Sequence, residues 1–292
     1  MKKIQSFALK HTVIYCILAE ILVLGGMMLA GTAISLVIYG IMGLNVDYYM
    51  VMAAQEACGA LIAFAVVAVS GCMDIFKRRG MGIGRGLRVG GYFLFIGTYS
   101  GIVMFITYEG ERVLKPWYLF AAFVLCMILV GVTEEFLCRG VLAELLRRHY
   151  GPTPEGIWKA VIVSGILFGL AHLTNLFAAK PLGVFVQCVS AGVMGMAFAA
   201  IYFRTGCIWV TVILHAFVDF AALIANGLYA GTVEDVISEY TPLNLIAVVP
   251  YIIVILVLLR KKKMDEIVER FSQEERPRPQ EPFARPDLDW MR

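Results

Sequence analysis

Apolar stretches about as long as a membrane-spanning helix dominate this chain of 292 residues. Eight of them lie at roughly 15–43, 48–72, 89–107, 117–146, 159–176, 183–203, 207–228 and 243–259. A helix needs about 20 predominantly apolar residues to cross roughly 30 Å of hydrocarbon. Only 16% of the residues are charged, fewer than in an average soluble domain. The sequence therefore predicts an all-α polytopic membrane protein, a bundle of about eight transmembrane helices.

Lysine and arginine are distributed unevenly among the segments that connect these stretches. Residues 2–10, 77–88, 147–159, 204 and 260–263 contain 16 of them, whereas the alternate segments contain three, Arg112, Lys115 and Lys180. Cytoplasmic loops of membrane proteins are enriched in these residues. We therefore expect a multi-pass protein of the cell membrane with both termini in the cytoplasm and the lipid bilayer as its environment. The net charge of +3 is small and indicates no nucleic-acid partner.

The apolar stretches leave no room for a separate soluble core, so we expect one membrane domain over residues 1–263. Residues 264–292 differ in composition, with four prolines and many charges. Such a segment cannot bury enough apolar area to offset the entropy of ordering it. We expect residues 264–292 to form a disordered cytoplasmic tail.

The fourth apolar stretch carries charged residues at depths where the bilayer makes them costly. Glu135 and Arg139 are separated by i,i+4 in the order that favours an ion pair on one helix face. Glu134 points about 100° away from Glu135, because an α-helix turns by that angle per residue. Glu134 is therefore expected to be the free carboxylate. The end of this stretch, from about Val141 to Arg148, is expected to lie at the cytoplasmic interface.

Two further stretches contribute histidines. In the fifth, Phe168 lies one turn before His172, and in the seventh, His215 lies one turn before Asp219. Together with Glu134, these residues are expected to form one polar site within the membrane. In the fifth stretch, glycines at positions 165 and 169 would let a neighbouring helix approach closely. Three polar residues of the first two stretches are interpreted as interhelical hydrogen-bonding or interfacial residues: Glu20, Gln55 and Glu56.

This set of side chains fits two kinds of hydrolytic chemistry. A glutamate near two imidazoles can activate water as a general base, while a second polar group stabilises an oxyanion. The same residue types are also ligands of catalytic zinc sites, for which Glu134, His172 and His215 are the candidates. Both mechanisms need the same residues. The sequence therefore leaves the cofactor open, with one divalent metal such as zinc as the candidate.

Three short motifs, in this order and on separate predicted membrane helices, resemble those of a known family. They are Glu134-Glu135-x-x-x-Arg139, Phe168-x-x-x-His172 and His215-x-x-x-Asp219. The family is that of the CAAX prenyl proteases and bacteriocin-processing proteins, often called CPBP or Abi, which are intramembrane endopeptidases. The resemblance covers roughly residues 117–228. It implies cleavage of peptide bonds in a membrane-associated protein or peptide, and it looks closer to the bacterial type than to proteases of prenylated substrates.

The resemblance also implies roles for individual residues. Glu134 would activate the attacking water with help from His172. His215 and Asp219 would orient a partner, stabilise the oxyanion or complete a metal site, and the pair formed by Glu135 and Arg139 would support them. The last motif position is Asn or Asp in the family. A carboxylate is a poorer oxyanion donor than an amide unless it is protonated, so the aspartate favours histidine orientation or metal ligation.

Two functions of other classes remain as alternatives. In a non-catalytic immunity or scaffold membrane protein, the same residues would form a structural polar network that holds the bundle together. In a proton-coupled transporter, the glutamates and histidines would relay protons across the membrane. Loss of folded protein on substitution of Glu134 or His172 would indicate the structural network. Substrate uptake driven by a pH gradient in liposomes would indicate the transporter.

Overall fold

A computed structural model describes residues 2–78 and 80–275 of the chain. Within these residues the protein is built from helices and contains no strand. In chain order the α-helices are α1 (Lys2–Lys10), α2 (Thr12–Ser35), α3 (Tyr48–Ser70), α4 (Ile83–Val89), α5 (Gly91–Thr107), α6 (Trp117–Leu137), α7 (Glu144–Tyr150), α8 (Pro154–Ala171), α9 (Pro181–Thr205), α10 (Ile208–Ala222), α11 (Ile224–Leu228), α12 (Val233–Ser238), α13 (Val248–Leu258) and α14 (Lys261–Glu275).

Helices long and apolar enough to cross a bilayer account for most of the fold. Five single helices are long and apolar enough to cross a bilayer: Thr12–Ile41, Tyr48–Ser70, Trp117–Tyr150, Pro154–Phe177 and Pro181–Thr205. Two bent pairs, Ile83–Val89 with Gly91–Thr107 and Pro242–Leu258 with Lys261–Glu274, raise the number to seven if each pair is one span. The apolar helix α10 is shorter, with 15 residues. The predicted all-helical membrane bundle is confirmed, with five to seven candidate spans where the sequence predicted about eight.

The ends of the long helices follow from local sequence. Asp47 caps the start of α3 by accepting a hydrogen bond from the Tyr49 amide at 3.0 Å. Thr153 caps α8 in the same way, and Pro154 takes the first helical position, where its missing N–H costs nothing. Gly206 ends α9 with a φ of 66°, a left-handed conformation that glycine adopts without strain.

Close helix packing places α6 at the centre of the bundle, between α3 and α10. At Gly131 a Cβ would lie 3.0 Å from Cβ of Ala216, so α6 and α10 approach each other at a position without a side chain. The glycine-rich face predicted on α8 packs against α9, where a Cβ on Gly169 would lie 3.0 Å from Cα of Gly192. Because α9 also packs against α10, these contacts bring the three motif-bearing helices α6, α8 and α10 together.

The end of the fourth span differs from expectation. After α6 the helix continues through a π-helical segment, Cys138–Ala143, into α7. The residues expected at the interface are instead buried in the protein, including Val141 and Arg147. Arg147 donates a hydrogen bond to Glu144 at 2.9 Å and lies over the ring of Phe271. Arg147 is therefore surrounded by protein, with an ion pair and an aromatic ring beside its guanidinium.

The expectation of a disordered tail over residues 264–292 is wrong for its first part. Residues 264–275 belong to helix α14. Met264, Ile267 and Phe271 are buried, and their spacing forms one apolar stripe along the helix. A largely charged composition concealed this stripe. The remainder of the expected tail, 276–292, lies outside the described residues.

Candidate active site

The two adjacent glutamates of α6 occupy different environments. Glu135 points into the protein and is fully buried. Glu134 lies on the neighbouring face of the helix, and 32% of its side chain is exposed. The 100° turn between consecutive helical residues produces this difference. One carboxylate is thus partly exposed, and the other is part of the interior.

Glu135 and Arg139 form the ion pair that their spacing predicted. Oε1 of Glu135 lies 2.9 Å from Nη1 of Arg139, and both side chains are buried. Nη2 of Arg139 donates a hydrogen bond, at 3.1 Å, to the carbonyl of Gly195 on α9. The guanidinium carbon also lies 5.2 Å from the ring centroids of both Phe168 and Phe198. The buried cation is therefore held by a carboxylate, a carbonyl and two aromatic rings.

His215 of α10 joins the carboxylates of the site. Its Nδ1 lies 2.7 Å from Oε1 of Glu135. Its Nε2 lies 3.2 Å from Oε2 of Glu134 and 3.5 Å from Oδ2 of Asp219. The imidazole stacks on Phe198 with ring centroids 5.1 Å apart. His215 is thus fixed on one edge by a buried carboxylate and presents its other edge to the exposed ones.

The carboxylates around His215 restrict which atoms of the imidazole and of the carboxyl groups can carry protons. An ionised carboxylate can only accept hydrogen bonds, so each ring nitrogen needs its own proton to donate to the carboxylate it faces. Either the imidazole carries both protons, or one of the carboxyls carries one. In both cases a proton is held between His215 and the exposed carboxylates, where it is available for transfer.

His172 has a different orientation and hydrogen bond. It follows the last residue of α8 and begins a 3₁₀ turn, His172–Phe177. Its Nδ1 lies 2.9 Å from the carbonyl oxygen of Phe168, one turn earlier. Because a carbonyl oxygen only accepts hydrogen bonds, Nδ1 must carry the proton, and a neutral ring then has its lone pair on Nε2. His172 can therefore accept a hydrogen bond from water at Nε2.

Phe168 lies between the two histidines. Its ring meets His172 and His215 edge to face, with centroid distances of 4.9 and 5.8 Å. Glu134 in turn lies 3.2 Å from Nε2 of His215. Residues of the three motifs are therefore linked through Phe168 and His215.

The site has a buried interior and a more exposed rim. Glu135, Arg139 and His215 are buried. Asp219 is more open, with 24% of its side chain exposed, as is Glu134. The rim is therefore partly exposed, while the buried side chains beneath it are held by their contacts with one another. Such a rigid support is what positions catalytic groups accurately.

The residues do not form a ready metal cage. Within residues 2–78 and 80–275, no group of three or more His, Cys, Asp or Glu side chains is arranged to hold a metal ion. Nδ1 of His215 faces the Glu135 carboxylate at 2.7 Å, which leaves Nε2 as the nitrogen that faces Glu134, at 3.2 Å. In the described residues, the candidate zinc ligands Glu134, His172 and His215 therefore do not form a set of three arranged around a metal position.

Three residues around the site were not assigned to it from the sequence. Gly195 supplies a carbonyl to Arg139, and Phe198 stacks on His215. Neither residue could have been assigned to the site from the sequence, since both look like ordinary residues of an apolar helix. Glu56 of α3 could have been, because a carboxylate within an apolar membrane stretch often marks a functional site. It is buried, and it interacts electrostatically with Glu134 and Asp219.

A family comparison covers the part of the chain that contains the three motifs. Residues 116–221 match the family model described as type II CAAX prenyl endopeptidase Rce1-like. All the predicted site residues lie within this range. No curated protein matches the chain. The match confirms the resemblance to CAAX-type intramembrane proteases over this segment.

Proposed function

We propose that this chain is an intramembrane endopeptidase that hydrolyses a peptide bond of a membrane-associated protein or peptide, with Glu134 as the general base. The observation that carries the proposal is the position of Glu134. Its carboxylate is open to a substrate and lies 3.2 Å from Nε2 of His215, which buried residues hold in place. The match to a family of CAAX endopeptidases supports the reaction class.

The reaction needs a base for water and a proton for the leaving group. Glu134 takes a proton from water while the water oxygen bonds to the peptide carbonyl carbon. His172 accepts the second hydrogen bond of this water at Nε2 and so orients it. As the carbon–nitrogen bond breaks, protonated Glu134 gives its proton to the departing amine. General acid–base catalysis of this kind contributes about 10²–10⁴-fold to a rate.

The tetrahedral intermediate carries a negative oxygen that requires a hydrogen-bond donor. In this proposal the N–H at Nε2 of His215 is that donor, and Asp219, 3.5 Å away, keeps the proton on this nitrogen. Glu135 fixes the ring through Nδ1. Of the two roles that the sequence favoured for Asp219, histidine orientation and metal ligation, the proposal adopts the first.

The substrate and the membrane are part of the proposal. We place the protein in the cell membrane as a multi-pass protein with both termini in the cytoplasm, because lysine and arginine are concentrated in alternate connecting segments. The substrate class is a membrane-associated protein or peptide. The resemblance to the bacterial type favours substrates that lack a prenyl group.

Cleavage by the purified protein in nanodiscs tests the proposal. A panel of membrane-embedded, lipidated and prenylated peptides would be incubated with wild type and with Glu134→Gln, and products identified by mass spectrometry. Glu134→Gln keeps the size of the side chain and removes the base, so cleavage should fall at least about 10²-fold. Equal activity in the two proteins would exclude Glu134 as the base.

Two controls separate the alternatives. Glu155→Gln changes an exposed glutamate of α8 and should leave cleavage unchanged. Thermal unfolding of each variant reports on folding, because a structural network would lose folded protein rather than activity. A chelator, followed by zinc, tests the metal mechanism in the same assay. Loss of cleavage that zinc restores would require a rearranged metal site, whereas unaffected cleavage supports direct water activation by Glu134.

A further inference from the structure

A series of stacked aromatic rings connects His215 with the outer helices of the bundle. The imidazole stacks on Phe198 of α9. Phe198 stacks in turn on Phe93 of α5, with centroids 4.5 Å apart and an angle of 26° between the rings. Phe93 stacks on Tyr251 of α13 at 5.4 Å and 5°. Four helices therefore each contribute one ring to a single series.

The inner rings of the series are enclosed by protein. Phe198 and Phe93 are fully buried, His215 is 1% exposed, and Tyr251 at the end of the series is partly buried. Protein interiors are close-packed, so a buried ring can turn only if its neighbours move. The position of each ring is therefore restrained by the next ring in the series.

The orientation of the His215 ring depends on packing of this kind. The torsion between Cβ and the ring is broad in histidine, with no narrow preferred angle. The site nevertheless requires one angle, because Nδ1 faces Glu135 at 2.7 Å while Nε2 faces Glu134 at 3.2 Å. A ring stacked on the face of the imidazole resists its rotation, since the turning edge would collide with that ring. Phe198 is thus a restraint on the direction of both ring nitrogens.

Phe198 needs a support of its own, because the same torsion is equally broad in phenylalanine. Phe93 provides this support, and its helix α5 is packed against α10. At Gly97 of α5 a Cβ would lie 2.8 Å from Cε1 of Phe217, so the two helices approach each other where α5 has no side chain. This close approach fixes the position of Phe93 relative to the helix that carries His215.

The outer half of the series lies outside the segment that matches the family. The match covers residues 116–221, which include His215 and Phe198. Phe93 precedes this segment, and Tyr251 follows it. Helices α5 and α13 therefore contribute to the surroundings of the site in a way that the three motifs do not indicate.

We propose that Phe93 and Tyr251 are positioning residues of the site, which hold the imidazole of His215 at the angle that catalysis requires. This inference rests on the proposed function, in which Nε2 of His215 donates to the oxyanion. Phe198 transmits the restraint, because it stacks on both His215 and Phe93. A misplacement of about 1 Å in a catalytic site can lower a rate about 10²-fold. Loss of an outer ring is therefore expected to slow the reaction more than it weakens substrate binding.

Phe123 of α6 is a matched control for Phe93. It is also fully buried, and its ring packs against aromatic neighbours such as Tyr49, at a centroid distance of 4.9 Å. These rings belong to a separate cluster of buried residues. Phe93→Leu and Phe123→Leu therefore remove the same ring from equally buried positions, one within the stacked series and one outside it.

Nuclear magnetic resonance of the full-length protein with isotope-labelled histidine, in nanodiscs, tests the positioning without reference to cleavage. Ring protons stacked over an aromatic face move upfield, and the His215 signals are those that His215→Gln removes. Phe198→Leu should move these signals downfield, and Phe93→Leu should move them in the same direction by a smaller amount. Phe123→Leu should leave them in place. Unchanged His215 signals in Phe93→Leu would overturn the inference, whatever the activity of the protein.

Cleavage kinetics test the consequence for catalysis. Phe93→Leu should lower kcat about tenfold and change KM less than about twofold, because a misplaced imidazole affects the transition state more than substrate binding. Phe123→Leu should change kcat less than about twofold, even if it lowers the melting temperature by the same amount. Equal losses of kcat in the two variants would overturn the positioning role of Phe93.

Tyr251 provides a second test at a partly buried position, where loss of a ring disturbs folding less. Tyr251→Phe keeps the ring and should retain the wild-type kcat, whereas Tyr251→Leu removes it and should lower kcat about threefold or more. Equal activity of the two variants would overturn the role of Tyr251. A wild-type protein that cleaves no peptide of the panel, with His215 signals that move as expected, would count against the proposed function and not against the positioning of His215 by the stacked rings.

Discussion

Nδ1 of His215 and Oε1 of Glu135 lie 2.7 Å apart, and the same oxygen lies 2.9 Å from Nη1 of Arg139. One buried carboxylate oxygen thus contacts both an imidazole and a guanidinium. The two neighbouring glutamates of α6 therefore differ in environment, because Glu135 is buried between the side chains of His215 and Arg139 and Glu134 is partly exposed.

This difference predicts opposite consequences for two identical substitutions. Glu135→Gln should lower the free energy of unfolding by about 3–5 kcal/mol, because it leaves the Arg139 cation buried without a counter-charge. Glu134→Gln, at a partly exposed position, should change it by less than about 1 kcal/mol while abolishing cleavage. Denaturation in mild detergent measures the first effect. Equal stability of the two variants would contradict this division of roles.

The close contact between α8 and α9 predicts that Gly195→Ala is harmful. Its Cβ would lie 2.7 Å from Cδ1 of Phe168, whose ring supports both histidines and Arg139. Overpacking of this kind costs about 1–3 kcal/mol. Thermal unfolding and cleavage should both decline. Gly25→Ala is the control, because a Cβ at that position of α2 meets nothing within 4 Å, and it should be neutral or slightly stabilising.

Substitutions of Asp219 are expected to lower the cleavage rate to different degrees. Asp219→Asn keeps a polar group within reach of Nε2 of His215 and should retain at least about a tenth of the wild-type rate. Asp219→Leu removes the polar group and should reduce cleavage about 10²-fold or more. The rate of peptide cleavage at saturating substrate distinguishes them. If Leu and Asn are equally active, Asp219 does not act through the histidine.

The docking of α14 predicts a role for its aromatic residue in stability. Phe271 is fully buried, and its ring lies 4.2 Å from the guanidinium carbon of Arg147. Phe271→Ala should destabilise the fold by about 3–5 kcal/mol, since it leaves a cavity beneath the arginine. Asp265→Ala, on the exposed face of the same helix, should have little effect. Comparison of the two melting temperatures checks the prediction.

Much of this architecture was predictable because it depends on local patterns. Apolar length indicated the membrane helices, and i,i+4 spacing indicated the pair of Glu135 and Arg139. The glycines at positions 165 and 169 indicated close packing of α8. In each case the relevant distance is fixed by helix geometry, which a sequence specifies directly.

The parts that were not predicted depend on contacts between distant segments. Phe198 looks like any other apolar residue of α9, and only packing reveals that it stacks on His215. The burial of Arg147 depends on its contact with Phe271, more than a hundred residues later in the chain. Average composition concealed the apolar stripe of α14, because its few apolar residues are outnumbered by charges. The π-helical segment Cys138–Ala143 likewise has no simple sequence signature.

The distribution of the site over three helices has a consequence for biosynthesis. Glu134 and His215 are translated in that order, so a growing chain contains the proposed base well before the histidine that lies beside it. Until α10 has packed against α6, Glu135 and Arg139 lack their imidazole partner. If Glu134 acts as proposed, hydrolytic capacity therefore appears only after α10 has joined the bundle.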